Sequence, residues 1–205
     1  GQWHQMSVIL SAASCLEWAA RVCGTAGPGE LLAHVEARGR VTGSEVFLPY
    51  LSGERTPHNN PHAKGVLFGL THETDAAAIG QAVLEGVAFA FRDGLDALLA
   101  TGNPVGAITV IGGGARSRYW GRLLASALER PLDFRDGGVV GAAYGAARLA
   151  WMGHQRLDTA LASYPPTLLE TITPDPSIVT ALQPRLARFR ALYAALHSHF
   201  PDGPT

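Results

Sequence analysis

Residues 107–118 read Ala-Ile-Thr-Val-Ile-Gly-Gly-Gly-Ala-Arg-Ser-Arg, an apolar, β-branched run of strand length that stops on three glycines and passes into helix-like sequence. Glycine has no Cβ, so the backbone can bend sharply there and a flat or charged ligand can approach it closely. Ser117 is placed to cap the helix that follows, whose free N–H groups face the bend. In an open α/β sheet, ligands bind in this position, beyond the carboxyl end of a strand. Two other readings compete. The bend can be a tight connection and nothing more. It can also be a dinucleotide fingerprint, with Asp133 near the right distance for the ribose-binding acid. However, Gly112-x-Gly114-x-x-Ser117 lacks the third glycine, and the turn falls in mid-chain rather than after a first strand.

A chain of 205 residues, 47% hydrophobic and 16% charged, buries one good core and is not of disordered composition. Its net charge of −1 provides no electrostatic footprint for nucleic acid or an anionic membrane. The nearest approach to a basic cluster, Arg185, Arg188 and Arg190, reads as an exposed helix face. Cys15 and Cys23 are too few for a disulfide framework and read as buried thiols of one helical segment, which points to a reducing cytoplasm. No apolar run reaches bilayer length, and no basic leader opens the chain. Gly1-Gln-Trp-His leads straight into strand-like sequence, as in a chain entered partway through a domain.

Taken in order, residues 3–10 read as a strand and residues 11–22 as a helix with Leu16, Ala19, Ala20 and Cys23 on one face. A short helix through Leu31 and Val35 ends near Gly39. Extended segments at 46–51 and 66–70 flank a polar loop, residues 52–62. In that loop His58 and His62 suggest a metal, but Pro61 opposes a helix presenting both, and no third ligand is fixed nearby. Glu54 and Arg55 fit a catalytic role in principle, but fit better as hydrogen-bonding pins of the loop. Thr74 or Asp75 caps the longest helix, which runs to about residue 101. Its Ala82, Gly86, Ala90 and Gly94 recur every four residues and make a smooth face for a close neighbour. Beyond the glycine bend come a helix through Trp120 and Leu128, a strand at 131–135, and a second turn at Gly137-Gly138. A helix rich in small residues then spans 139–152. Its Gly141, Ala142 and Gly145 fit either tight packing or a hinge contact. Residues 154–173 read as irregular, with a short helix near 157–162, and an amphipathic helix covers 177–199. Pro184 within it predicts a kink or a later start. This order of elements describes a three-layer α/β domain with a mixed sheet flanked by helices.

Several stretches resemble the FGGY family of carbohydrate kinases, most closely its xylulokinase branch. They include Met6-Ser-Val-Ile-Leu-Ser-Ala-Ala-Ser-Cys-Leu-Glu-Trp18, Phe47-Leu-Pro-Tyr-Leu-Ser-Gly-Glu-Arg-Thr-Pro-His-Asn-Asn-Pro61 and Lys64-Gly-Val-Leu-Phe-Gly-Leu-Thr71. Val83-Leu-Glu-Gly-Val-Ala88, Ile111-Gly-Gly-Gly-Ala-Arg-Ser117 and Gly141-Ala-Ala-Tyr-Gly-Ala-Ala147 complete the set, in the family's order over nearly the whole chain. The resemblance implies a ribonuclease-H-like half of the actin/Hsp70/sugar-kinase superfamily, lacking its first β-hairpin and so leaving an open edge beside residues 3–10 for another chain or a second copy. It implies an ATP-binding domain over residues 1–153, with 154–205 as its helical extension. Gly112, Gly113, Gly114 and Ala115 then line the adenosine and α-phosphate side of ATP, with Arg118 bordering the nucleotide and Gly141, Ala142 and Gly145 at the interdomain hinge.

The same resemblance places the general-base Asp, the phosphate-binding hairpins, the sugar contacts and the Mg²⁺ ligands upstream of Gly1, in a partner half. None of Asp75, Asp93, Asp96, Asp133 or Asp136 sits in a matching context, so no catalytic or metal residue is expected in this chain. The implied activity is transfer of the γ-phosphate of MgATP to D-xylulose in the cytoplasm. The same fold acting on ribulose, gluconate or another polyol, and a non-catalytic nucleotide-binding or scaffold module, are the alternatives.

Overall fold

The computed structural model describes residues 4–157 and 165–200. After an extended start come α1 (Ala13–Val22), with Cys15, Leu16, Ala19 and Ala20 buried, and α2 (Pro28–Arg38). Gly39 ends α2 in the left-handed conformation that favours glycine, φ 63°. β1 (Val46–Leu48) pairs antiparallel with β2 (Val66–Phe68), joining Val46 to Phe68 and Leu48 to Val66. α3 (Ala76–Leu99) follows, capped by the Asp75 carboxylate, which accepts the Ala78 N–H at 2.8 Å. β3 (Ile108–Val110), α4 (Arg118–Leu128) and β4 (Leu132–Arg135) form a strand–helix–strand unit whose strands are parallel. α5 (Ala142–Gln155) leads toward β5 (Leu168–Ile172), antiparallel to β4, and α6 (Pro176–Leu196) closes the described chain. The larger sheet is therefore mixed, in the order β3-β4-β5.

The core is organised on α3, which touches α1, α2, α4, α6 and β1. Val83, Leu84, Val87 and Phe89 of α3 meet Leu31 and Val35 of α2, Phe47 and Leu48 of β1, and Leu182 and Phe189 of α6. Each such side chain, buried to 3% exposure or less, contributes on the order of 1.5–3 kcal/mol. A second cluster, with Leu95, Leu128, Leu132 and Ile172, joins α3 and α4 to the mixed sheet. The small-residue face of α3 meets the β1 backbone at Gly86 and side chains of the N-terminal segment at Gly94. A Cβ on Gly86 would stand 2.2 Å from the Phe47 carbonyl oxygen, and one on Gly94 would stand 2.9 Å from Ser7 Oγ.

Several expectations change. The described residues 4–10 do not form a strand, and Trp3 lies outside the described residues. This segment is tied to the 52–62 loop instead. Val8 N–H donates to Thr56 Oγ1 at 3.0 Å, Leu10 N–H to Glu54 Oε1 at 3.1 Å, and Thr56 N–H to the Val8 carbonyl at 3.0 Å. Two of these three bonds end on side chains, so no ladder forms. The stretch expected to be irregular contains β5, held by the free edge of β4; the short helix near 157–162 falls largely outside the described residues. Pro184 sits inside an α6 that begins at Pro176, so the helix does not start late. Of the three arginines of α6, Arg188 and Arg190 are exposed as expected, whereas Arg185 turns inward. Arg185 pairs with buried Glu85, Arg190 reaches Asp93 and Asp96 at 2.6 Å, and Arg188 covers the Phe68 ring at 5.3 Å.

Candidate functional site

Gly112 ends β3 with φ 86°, a conformation strained for any L side chain. Its N–H donates to the Gly138 carbonyl at 2.8 Å, which laces the first glycine turn to the second. The chain then makes one 3-10 turn, Gly113–Arg116. Ser117 stops it and starts α4, its Oγ accepting the Trp120 N–H at 3.1 Å as the cap expected from sequence. A Cβ on Gly114 would stand 2.5 Å from the Trp120 ring, so only glycine lets the backbone lie flat on the indole.

This bend forms one wall of a groove of about 590 Å³. Gly113, Gly114, Arg116, Ser117, Arg118, Tyr119 and Trp120 line that wall; Ala13, Leu16, Glu17, Pro28, Gly29, Leu32 and Glu36 of α1 and α2 line the other. The size suits a nucleoside-scale ligand. Its chemistry is asymmetric, with bare backbone and two guanidinium groups facing apolar side chains and two carboxylates. On the opposite side of the bend lies a smaller cleft of about 180 Å³, lined by Ala115, Arg116, Arg118, Arg135, Val139 and Glu170 among others.

Of the residues singled out from sequence, Gly113, Gly114 and Arg118 meet on the groove. Ala115 faces the smaller cleft, and Gly112 is spent on the bond to Gly138. Arg118 borders both spaces and forms an ion pair with Glu170 of β5. Arg116 also borders both, and its signal in the sequence is an arginine that ends a glycine turn. Asp133 does not reach the groove as a ribose-binding acid. Its carboxylate is held by Arg135 at 2.8 Å and by the Thr171 hydroxyl at 2.7 Å, which removes the basis of the dinucleotide reading.

The 52–62 loop is pinned through the Glu54 side chain, and Arg55 takes part through its main-chain N–H. Fully buried Glu54 accepts the Arg55 and Leu10 N–H groups on Oε1, while Oε2 has no partner among the described residues. Burial raises its carboxyl above the usual range, against the lowering effect of those two bonds. His58 stacks on Tyr193 at 3.6 Å and bonds the Tyr50 hydroxyl at 2.9 Å, and burial lowers its pKa to about 4. Burial likewise pushes the Cys15 thiol up to about 12, so it is an inert core group. Among the described residues no group of three or more His, Cys, Asp or Glu side chains is arranged to hold a metal ion. Among them too, no helix is long and apolar enough to cross a membrane.

Residues 1–154 match the FGGY family of carbohydrate kinases, C-terminal domain. A xylulose kinase of Escherichia coli (strain K12) is 48% identical over 196 residues, covering 95% of this chain and 40% of that protein. A xylulose kinase of Klebsiella pneumoniae is 48% identical over 197 residues, 96% of this chain and 41% of that protein. The crystal structure of a xyloylose kinase from Brucella ovis superposes with a TM-score of 0.85 at 45% identity, over 96% of this chain and 41% of that one. The chain thus spans about two fifths of the length of the relatives it matches. Its mixed α/β architecture is that of the sugar kinases in the actin/Hsp70 superfamily. The match in sequence and the match in fold agree: the chain belongs to the FGGY family of carbohydrate kinases and carries the family's C-terminal domain.

Proposed function

We propose that this chain is the ATP-binding half of a kinase that transfers the γ-phosphate of MgATP to D-xylulose, giving D-xylulose 5-phosphate. The observation that carries the reading is the groove itself, in which an unencumbered glycine backbone and two arginines face an apolar wall. Leu16, Pro28 and Leu32 offer surface to a purine, and Gly113 and Gly114 let its sugar lie against the main chain. The opening of α4 offers N–H groups, and Arg116 and Arg118 offer charge, to the α-phosphate end. Engaging phosphate requires Arg118 to exchange its Glu170 partner. Phosphoryl transfer is mostly positioning and charge stabilisation, so this half seats the nucleotide and its partner half supplies the acceptor and base.

The aspartates support that division. Asp75 pairs with Arg38, Asp93 and Asp96 with Arg190, and Asp133 with Arg135, so these four of the five already have a cation. Mg²⁺ screens polyphosphate charge when it accompanies ATP; no residue here is assigned to it. Within the proposal, residues 1–153 form the ATP-binding domain, and 154–205 extend it with β5 and α6. Gly141, Ala142 and Gly145, which open the mostly exposed α5, form the hinge contact, and the protein works in the cytoplasm.

Isothermal titration of this chain with ATP, with and without Mg²⁺, tests the site. Weak binding that Mg²⁺ does not change is expected; tight, Mg²⁺-dependent binding overturns the placement of the phosphate contacts. A panel of ketoses and polyols on the intact kinase tests the substrate. Turnover of another sugar with no xylulose-dependent ADP release refutes D-xylulose. Sedimentation velocity tests self-association as a homodimer.

A further inference from the structure

Behind the groove wall a chain of polar groups crosses the core. Tyr119, which borders the groove, donates its hydroxyl to Gln81 Oε1 at 2.5 Å, with the Arg40 carbonyl a second acceptor at 3.3 Å. Gln81 Nε2 donates to Glu85 Oε1 at 2.8 Å, and these α3 residues are 3% and 1% exposed. The same Glu85 oxygen accepts the Gly43 N–H at 2.9 Å, and Glu85 Oε2 accepts Arg185 Nε from α6. Arg185 Nη2 ends the chain on the Glu45 carbonyl at 2.6 Å.

A polar network this deep is costly unless every member is satisfied, and once satisfied it holds its members in one geometry. Apolar side chains at 81 and 85 would fill the same volume without orienting a phenol. We propose that Gln81 and Arg185 are positioning residues for the nucleotide groove. Through Glu85 and the Tyr119 hydroxyl they hold the first turn of α4, and with it the Gly113–Arg116 turn, against α3. Arg185 lies past residue 154, where the family match ends, so α6 becomes a determinant of ligand affinity. The inference rests on the groove being the nucleotide site.

Two readouts keep the claims separable. Amide hydrogen exchange at residues 113–121, measured without ligand, reports the positioning. Titration with ADP reports its consequence. Tyr119→Phe and Gln81→Leu are each expected to speed exchange at these amides and raise the Kd for ADP about 3- to 10-fold, the scale of one lost hydrogen bond. The double variant should fall well short of the product of the single effects, because the Tyr119–Gln81 bond is lost in both. Arg185→Lys, which keeps the buried charge compensated but loses the planar fork, should show the same change at smaller amplitude. Unchanged exchange in Tyr119→Phe and Gln81→Leu overturns the relay. Faster exchange with unchanged Kd, or single effects that multiply in the double variant, overturns its role at the groove. Absence of ADP binding by the parent chain overturns the nucleotide reading and that role with it, while exchange still decides the relay.

Discussion

Gly86 and Gly145 both lie inside helices, and the same substitution at the two sites should have opposite signs. Glycine costs up to about 1 kcal/mol against alanine in a helix interior, so alanine gains that amount wherever a methyl group fits. At Gly145, in exposed α5, an added Cβ meets nothing within 4 Å. At Gly86 it would stand 2.2 Å from the Phe47 carbonyl oxygen and 3.1 Å from the Phe47 carbonyl carbon. A carbon–oxygen contact settles near 3.3 Å, so α3 and β1 must separate by roughly 1 Å. The obstacle is backbone and cannot rotate away. Overpacking of this kind costs about 1–3 kcal/mol, and a main-chain clash lies at the upper end. Less the helical gain, Gly86→Ala should lose about 2 kcal/mol, which for a chain of this size is roughly 4–8 °C in Tm. Gly145→Ala should gain about 0.5–1 kcal/mol, or roughly 1–4 °C. Urea denaturation with parallel thermal melts measures both. Equal stability of Gly86→Ala and the parent would refute the close approach of α3 to β1.

Gly114→Ala drives a methyl group into the Trp120 ring and should abolish nucleotide binding while moving Tm by less than Gly86→Ala does; titration with ADP beside a thermal melt separates the two effects. Glu170→Gln frees Arg118 from its ion pair and should tighten ATP binding about 2- to 3-fold, an effect that the added Arg118→Ala change should erase. The 52–62 loop should respond to acid in two opposing ways. His58, lowered to about 4, contributes stability that is present above its unfolded pKa near 6.5 and is lost as pH falls toward 4, so His58→Gln should flatten the acid-side decline. Glu54 is raised, so its contribution is present below about 4.5 and lost as pH rises; Glu54→Gln should steepen that decline in chemical denaturation between pH 7 and 4.

Features written in local chemistry were legible in the sequence. The Asp75 and Ser117 caps, the Gly39 stop and the strand–glycine–helix bend each depend on a few neighbouring residues, and each stands where the sequence places it. Features that depend on a distant partner were not. Leu168 and Leu169 of β5 are 47% and 65% exposed, so no buried alternation marks the strand; the edge of β4 creates it. Residues 4–10 show the converse. Their composition suits a strand, but Met6 is 70% exposed and the bonds go to loop side chains. At the site, the bend and Arg118 were legible, whereas the wall contributed by α1 and α2 came only with the tertiary fold. The inward turn of Arg185 was hidden for the same reason, because its carboxylate lies a hundred residues earlier, on α3.

The single bond from the Gly112 N–H to the Gly138 carbonyl has a mechanical meaning. The segment beyond Gly138 opens α5, and a Cβ on Gly141 would stand 3.6 Å from Gly112, an ordinary contact distance, so the two bends lie side by side. The first bend is thereby joined to the foot of α5 by main chain alone. A ligand that displaced the first bend would load this bond, and through it the start of α5, by a route that bypasses the hydrophobic interior.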